Sequence, residues 1–257
     1  MQQYLRQKPD FLRSDLACEL IKKPKRRFGE DFSVSDFSLS EKQAAKIGKN
    51  PGRYVTVETK AVLNGEREKY SRLIGIMCNK LKSMLSGDTF LVVGLGNRNI
   101  AADALGAKCC ENVVATRNIS SGVPQVACFV PGVFGETGME SAEAVKGVTE
   151  IVNPDIVIAI DSLCAASQKR LLTSFQLSDS GISPGSGVNN PRKILDESYL
   201  GKKVVCIGVP TVVYASAFSD NGEDADMVVT PKDIDLIVRD CAYIVARALN
   251  KCFGNDY

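Results

Sequence analysis

The chain has 257 residues, 44% of them hydrophobic and 24% charged, with a formal charge of +2 and no histidine. That length and balance describe one soluble globular domain with a well-buried core, and they argue neither for nor against nucleic acid. The missing histidine excludes Ser–His and Cys–His catalysis and every His-ligated zinc site, so any catalysis must run on Asp, Glu, Lys, Tyr, Ser or Cys.

In chain order, residues 1–50 read as polar and irregular, with no hydrophobic signal core and a basic run, "KKPKRR", at 22–27. Such a run reads first as a solvated loop and second as a contact for nucleic acid or an acidic substrate. "RYVTVET" (53–59) alternates like a half-buried strand. Tyr70, Leu73, Ile74, Met77, Leu81, Met84 and Leu85 recur at helical spacing, which predicts a core-facing helix over 66–86. "FLVVGL" (90–95), "VACFV" (126–130), "DIVIAI" (155–160) and "KVVCIGV" (203–209) are short, apolar and not alternating, as strands buried on both faces are. Thr137 and Glu140 read as a capping box opening a helix to about 151, and Thr230-Pro-Lys-Asp233 as the opening of a final helix. Strand–helix alternation predicts a single α/β domain, a mostly parallel sheet sandwiched by helices. No apolar run reaches membrane-spanning length, and nine cysteines without a C-x-x-C pair suit thiols in a reducing cytoplasm. Adjacent Cys109 and Cys110 read as packing residues of a helix.

The chemistry is expected at the carboxyl ends of the strands, where ligands bind in open parallel sheets. Gly94 to Asn99 reads G-x-G-x-x-N, with Asn99 where a dinucleotide fingerprint needs its third glycine. The turn then presents Asp103. Asp161 follows "IVIAI" directly, and Asp179 lies in the Gly/Ser-rich stretch "LSDSGISPGSGVNN" (177–190). Each alone reads as a surface or capping carboxylate; two held close cannot both ionise easily, so one keeps a proton and acts as acid while the other acts as base, or the two hold a hydrolytic metal. Gly181-Ile-Ser183-Pro-Gly185 matches the G-x-S-x-G elbow of hydrolases, but the chain has no histidine base and "GSGVNNP" cannot run as the required helix.

The stretches "RSDLACEL" (13–20), "IGKNPGRYVTVET" (47–59), "VVGLGNRNIAADALGAK" (92–108), "VPGVFGETGMES" (130–141), "VNPDIVIAIDSLCA" (152–165), "SDSGISPGSGV" (178–188), "IGVPTVV" (207–213) and "VVTPKDIDLIV" (228–238) together resemble the germination protease family of endospore-forming bacteria. The resemblance implies an atypical aspartate endopeptidase that degrades small acid-soluble, DNA-protecting spore proteins in the cytoplasm of the spore core. It implies Asp103 and Asp161 as the catalytic pair, with Asn97, Asp179, Ser180 and Gly181 binding substrate or supporting the acids. It also implies a zymogen cut at Asp15–Leu16, so that 1–15 is a propeptide and 16–257 a single α/β peptidase domain. Self-cleavage is expected to be favoured by mild acid. The family forms tetramers, so a homo-oligomer is expected, with no membrane and no direct nucleic-acid contact.

The family fold is similar to that of hydrogenase-maturation peptidases, which hold metal through two acids and a histidine. Without histidine that site is not expected here and no cofactor is implied, although a site of oxygen ligands alone stays open. The chain departs from the family in lacking a long insertion between "PTVV" and "VTPK", and in carrying Tyr214 for an Asp and Ser183 for a His. These departures keep a second reading open: a catalytically inactive paralogue that binds spore proteins or DNA without cutting.

Overall fold

A computed structural model describes residues 14–21, 25–119, 122–185, 193–218 and 227–255. The strands are β1 (Arg26–Phe28), β2 (Phe32–Leu39), β3 (Gly52–Glu58), β4 (Thr89–Gly94), β5 (Gln125–Phe129), β6 (Ile156–Ala165), β7 (Ser174–Ser178), β8 (Lys203–Tyr214) and β9 (Val228–Val229). The helices are α1 (Ala17–Leu20), α2 (Glu41–Lys46), α3 (Tyr70–Lys82), α4 (Leu105–Cys110), α5 (Phe134–Thr137), α6 (Ser141–Val152), α7 (Glu197–Leu200) and α8 (Ile234–Cys252).

All nine strands join one sheet in the order β1-β2-β3-β7-β8-β6-β4-β5, with β9 added to β8. The expected α/β architecture is present. Its parallel part is the block β8-β6-β4-β5, whose strands are the continuous apolar runs of the sequence. The other half, β7, β3, β2 and β1, is antiparallel throughout.

Alternate residues of the central strands serve opposite faces. Phe90, Val92, Ile156 and Ile158 join a core with Leu73, Met77 and Leu81 of α3, Leu105 and Cys109 of α4, and Val238, Val245 and Leu249 of α8. Leu91, Val93, Val157, Ala159 and Cys206 join a second core with Ala142 and Val145 of α6 and Leu200 of α7. Each fully buried side chain of this size contributes about 1.5–3 kcal/mol, so both faces must be covered for the parallel block to stand.

Several local expectations need correction. Residues 26–46 are ordered, not irregular: β2 buries Phe32, Val34, Phe37 and Leu39, and Ser40 with Gln43 forms a capping box on α2. The basic run ends in the edge strand β1, and Lys25, just before that strand, pairs with Glu58 at 2.7 Å; residues 22–24 lie outside the described residues. Thr137 caps no helix. It ends α5, and α6 begins at Ser141, because Gly138 takes a left-handed φ of +70° that breaks the helix between them. Thr230 donates to the Thr211 carbonyl at 2.7 Å instead of capping α8, which starts at Ile234.

Candidate active site

β4 ends at Gly94, and the chain turns into a 3₁₀ segment, Ala101–Asp103, that leads into α4. The glycines there allow close approach of backbone to backbone. A methyl group on Gly106 would stand 2.5 Å from the Ile160 carbonyl oxygen and from the Leu95 amide nitrogen and carbonyl oxygen. Gly96, at φ +91°, packs directly on the Asp103 main chain. The Leu95 amide donates to the Ile160 carbonyl at 2.8 Å, and the Asn97 amide donates to Asp103 Oδ2 at 2.7 Å. Asn99 turns outward, where its side-chain amide donates to Glu136 at 2.6 Å.

Asp161 sits inside β6, one residue past Ile160, the last residue paired with β4. It is 5% exposed, and its Oδ1 accepts from the Ser162 amide at 2.9 Å. Burial, then the charges of Asp103 and Asp15, push its carboxyl well above the ordinary range. Asp103 is only partly buried; burial pushes it up too, and the Asn97 amide opposes that shift. Asp161 is therefore the carboxyl that holds a proton, and Asp103 the one that ionises first.

Two cavities meet at Asp161. One, of about 580 Å³, is lined by Asp15, Asp103 and Asp161 together with Ile100, Val133 and Phe134. The other, of about 210 Å³, is lined by Asp15, Asp161, Lys49, Gln176 and Gly208. Burial pushes the Lys49 ammonium down, and the charge of Asp15 opposes that.

The segment carrying Asp15 and Leu16 is not a loose arm. Asp15 pairs with β6 at both ends: its amide donates to the Cys164 carbonyl and its Oδ2 accepts from the Cys164 amide, each at 2.9 Å. Leu16 is fully buried with Leu163 and Ala165. Gln176 of β7 donates through Nε2 to the Asp15 carbonyl at 3.1 Å and accepts through Oε1 from the Ala17 amide at 2.8 Å. Glu19 accepts from the Ala166 and Ser167 amides at 2.8 and 3.0 Å, and the Ser14 hydroxyl donates to it. Arg6, Lys8 and Arg13 lie outside the described residues.

A model of germination proteases matches residues 7–224. The chain belongs to the germination protease family. It is 34% identical to the germination protease of Caldanaerobacter subterraneus, over 82% of this chain and 81% of that protein. It is 40% identical to that of Priestia megaterium and 38% to that of Bacillus subtilis, over 74% of this chain and 55% and 56% of theirs. The chain thus spans little more than half the length of those two germination proteases. A NiFe hydrogenase maturation protease of Thermococcus kodakarensis aligns with 68% of this chain and 99% of its own, at 17% identity and a TM-score of 0.43.

Asp103, Asp161 and Asp15 come together; Asp179, expected at the same rim, does not. β7 runs antiparallel to β8, so its carboxyl end points away from the ends of β4 and β6. Asp179 is exposed there, its Oδ1 accepting from the Arg53 amide at 2.6 Å. Ser180 is buried, its carbonyl accepting from Asn50 at 2.9 Å, and lines neither cavity. Gly181 and Ser183 line the smaller cavity, and Asn97 the larger.

Lys49 and Gln176 were not singled out from the sequence. Lys49 lies in "IGKNPG", a stretch that carried the family resemblance; Gln176 lies in "SFQLS", whose polar–apolar alternation signals a strand. Among the described residues no cluster of three or more His, Cys, Asp or Glu is placed to hold a metal ion, and no helix is long and apolar enough to cross a membrane.

Proposed function

We propose that this chain is an endopeptidase of spore germination, made as a zymogen, that uses Asp103 and Asp161 to cut its own Asp15–Leu16 bond and then small acid-soluble spore proteins. The observation that carries this reading is the position of Asp15, which borders both cavities together with Asp161. In the reaction Asp103 accepts a proton from water, and the water oxygen attacks the Asp15 carbonyl carbon. Asp161, protonated because it is buried beside two acids, gives its proton to the Leu16 nitrogen as the C–N bond breaks. The products are a carboxylate at Asp15 and an amine at Leu16.

Leu16 and Glu19 support the same reading. An apolar side chain after the cut is matched by the pocket of Leu163 and Ala165, and an acid three residues further by the Ala166 and Ser167 amides. Incubating the purified chain with an acid-soluble spore protein, and sequencing all new N-termini, tests it. The expected result is a terminus Leu16-Ala17-Cys18-Glu19 and cuts in the added protein. Stable binding of the spore protein without any cut would instead make the chain a non-catalytic paralogue.

A further inference from the structure

We propose that Gln176 is a catalytic residue: its side-chain N–H stabilises the oxyanion that forms on the carbonyl of the cut bond. The proposal rests on the endopeptidase reading above. Gln176 belongs to β7, and it pairs with Gly208 of β8, which in turn pairs with Asp161 of β6. Residues in register on neighbouring strands share a face, so Asp161, Gly208 and Gln176 form one row across the sheet. Strands lie about 4.8 Å apart, which puts the two outer backbones roughly 10 Å from each other. The middle residue has no side chain, and all three line the same 210 Å³ cavity as Asp15.

Residues 15–17 bridge the two outer strands, bonded to Cys164 on β6 and to Gln176 on β7. The Asp15 carbonyl, which belongs to the bond to be cut, accepts from Gln176 Nε2 at 3.1 Å. Which end of the amide faces it is fixed by the other contact. The Ala17 amide can only donate, so Oε1 turns to Ala17 and the NH₂ turns to Asp15. Gln176 is only 8% exposed, so the donor is held in a largely dry site, where it acts most strongly.

When water adds to the carbonyl carbon, the C=O π pair moves to the oxygen, and the negative charge that forms faces the Nε2–H. As the intermediate collapses, that pair re-forms C=O. The C–N electrons leave with the Leu16 nitrogen, which takes its proton from Asp161.

The test compares the wild-type full-length chain with Gln176→Met and Gln176→Glu. Mass spectrometry follows release of the Leu16 terminus, and steady-state kinetics follow a peptide spanning residues 10–21 added in trans. Gln176→Glu keeps an acceptor for Ala17 and loses the donor wherever its carboxyl is ionised, and it carries the test if Gln176→Met does not fold. Both variants are expected to lose about 100–1,000-fold in cleavage, the loss falling on kcat and not KM. Protonation gives a carboxylic acid an O–H donor, so the deficit of Gln176→Glu relative to wild type should shrink as pH falls. Wild-type rates in Gln176→Met or, at the alkaline end of the measured range, in Gln176→Glu, or a loss confined to KM, would overturn the assignment alone. A wild-type chain that leaves both its own bond and the peptide intact would overturn the endopeptidase reading, and the assignment with it.

Discussion

The Leu95 amide donates to the Ile160 carbonyl at 2.8 Å, tying the turn that leads to Asp103 to the strand that carries Asp161 one residue later. Two acids from distant parts of the chain are thereby brought to one cavity by a backbone hydrogen bond between their segments. Their spacing is set before any substrate arrives.

Asp103→Asn and Asp161→Asn should each lower cleavage by at least about a hundredfold, since the amide keeps the shape but exchanges no proton. Circular dichroism of both variants should match wild type. Near-normal cutting by either would remove it from the mechanism.

Asp161→Asn should also change how stability depends on pH. The folded state holds the Asp161 proton above the pH at which the unfolded chain, with a carboxyl near 3.9, releases it. Wild-type stability from this group is therefore full below about pH 3.9 and declines as pH rises toward the raised folded value. The variant lacks that decline, so its melting temperature should exceed wild type at pH 7 and approach it near pH 4. Parallel melting curves across this range would show that Asp161 carries no such cost.

The pH–rate profile of self-cleavage should be a bell with both limbs above the ordinary carboxylate range, because burial raises Asp103 as well as Asp161. The charge of Asp103 raises Asp161, so the limbs are read as those of the pair. Mild acid should speed the cut as pH falls through the upper limb. A rate that rises steadily to pH 9 would contradict a protonated Asp161.

Gly106→Ala removes no reactive group but places a methyl 2.5 Å from the Ile160 carbonyl oxygen. Overpacking of this kind costs about 1–3 kcal/mol, and relief requires α4 to move with Asp103. Thermal melting should fall and cleavage should drop with it. Unchanged activity would mean that the turn has slack.

Cys164 borders the cavity, yet its thiol is pushed up to about 12 by burial, then by Asp15 and Glu19. It is almost wholly un-ionised at pH 7, and a thiol in that state is a poor nucleophile. Iodoacetamide at neutral pH should leave cleavage intact. Inactivation mapped to Cys164, with the fold retained, would point to thiol chemistry.

By itself the sequence determined the parallel block and its helices. Runs such as Ile156–Ile160 are apolar on both faces, and the Leu73–Met77–Leu81 stripe has only one way to be buried, so local pattern and tertiary demand agree. The motifs of the family also pointed to Asp103 and Asp161. Only the tertiary structure decided the direction of β7, the burial of Leu16, and therefore which polar groups meet. Strand direction depends on which neighbour a strand pairs with far along the chain, and β7 pairs antiparallel with β8 and β3. That choice carries Asp179 away from the rim and brings Gln176 to the carbonyl of Asp15, 161 residues earlier in the chain. A five-residue strand has too short a pattern to announce it, and hydrogen bonds across such separations leave no periodicity to read.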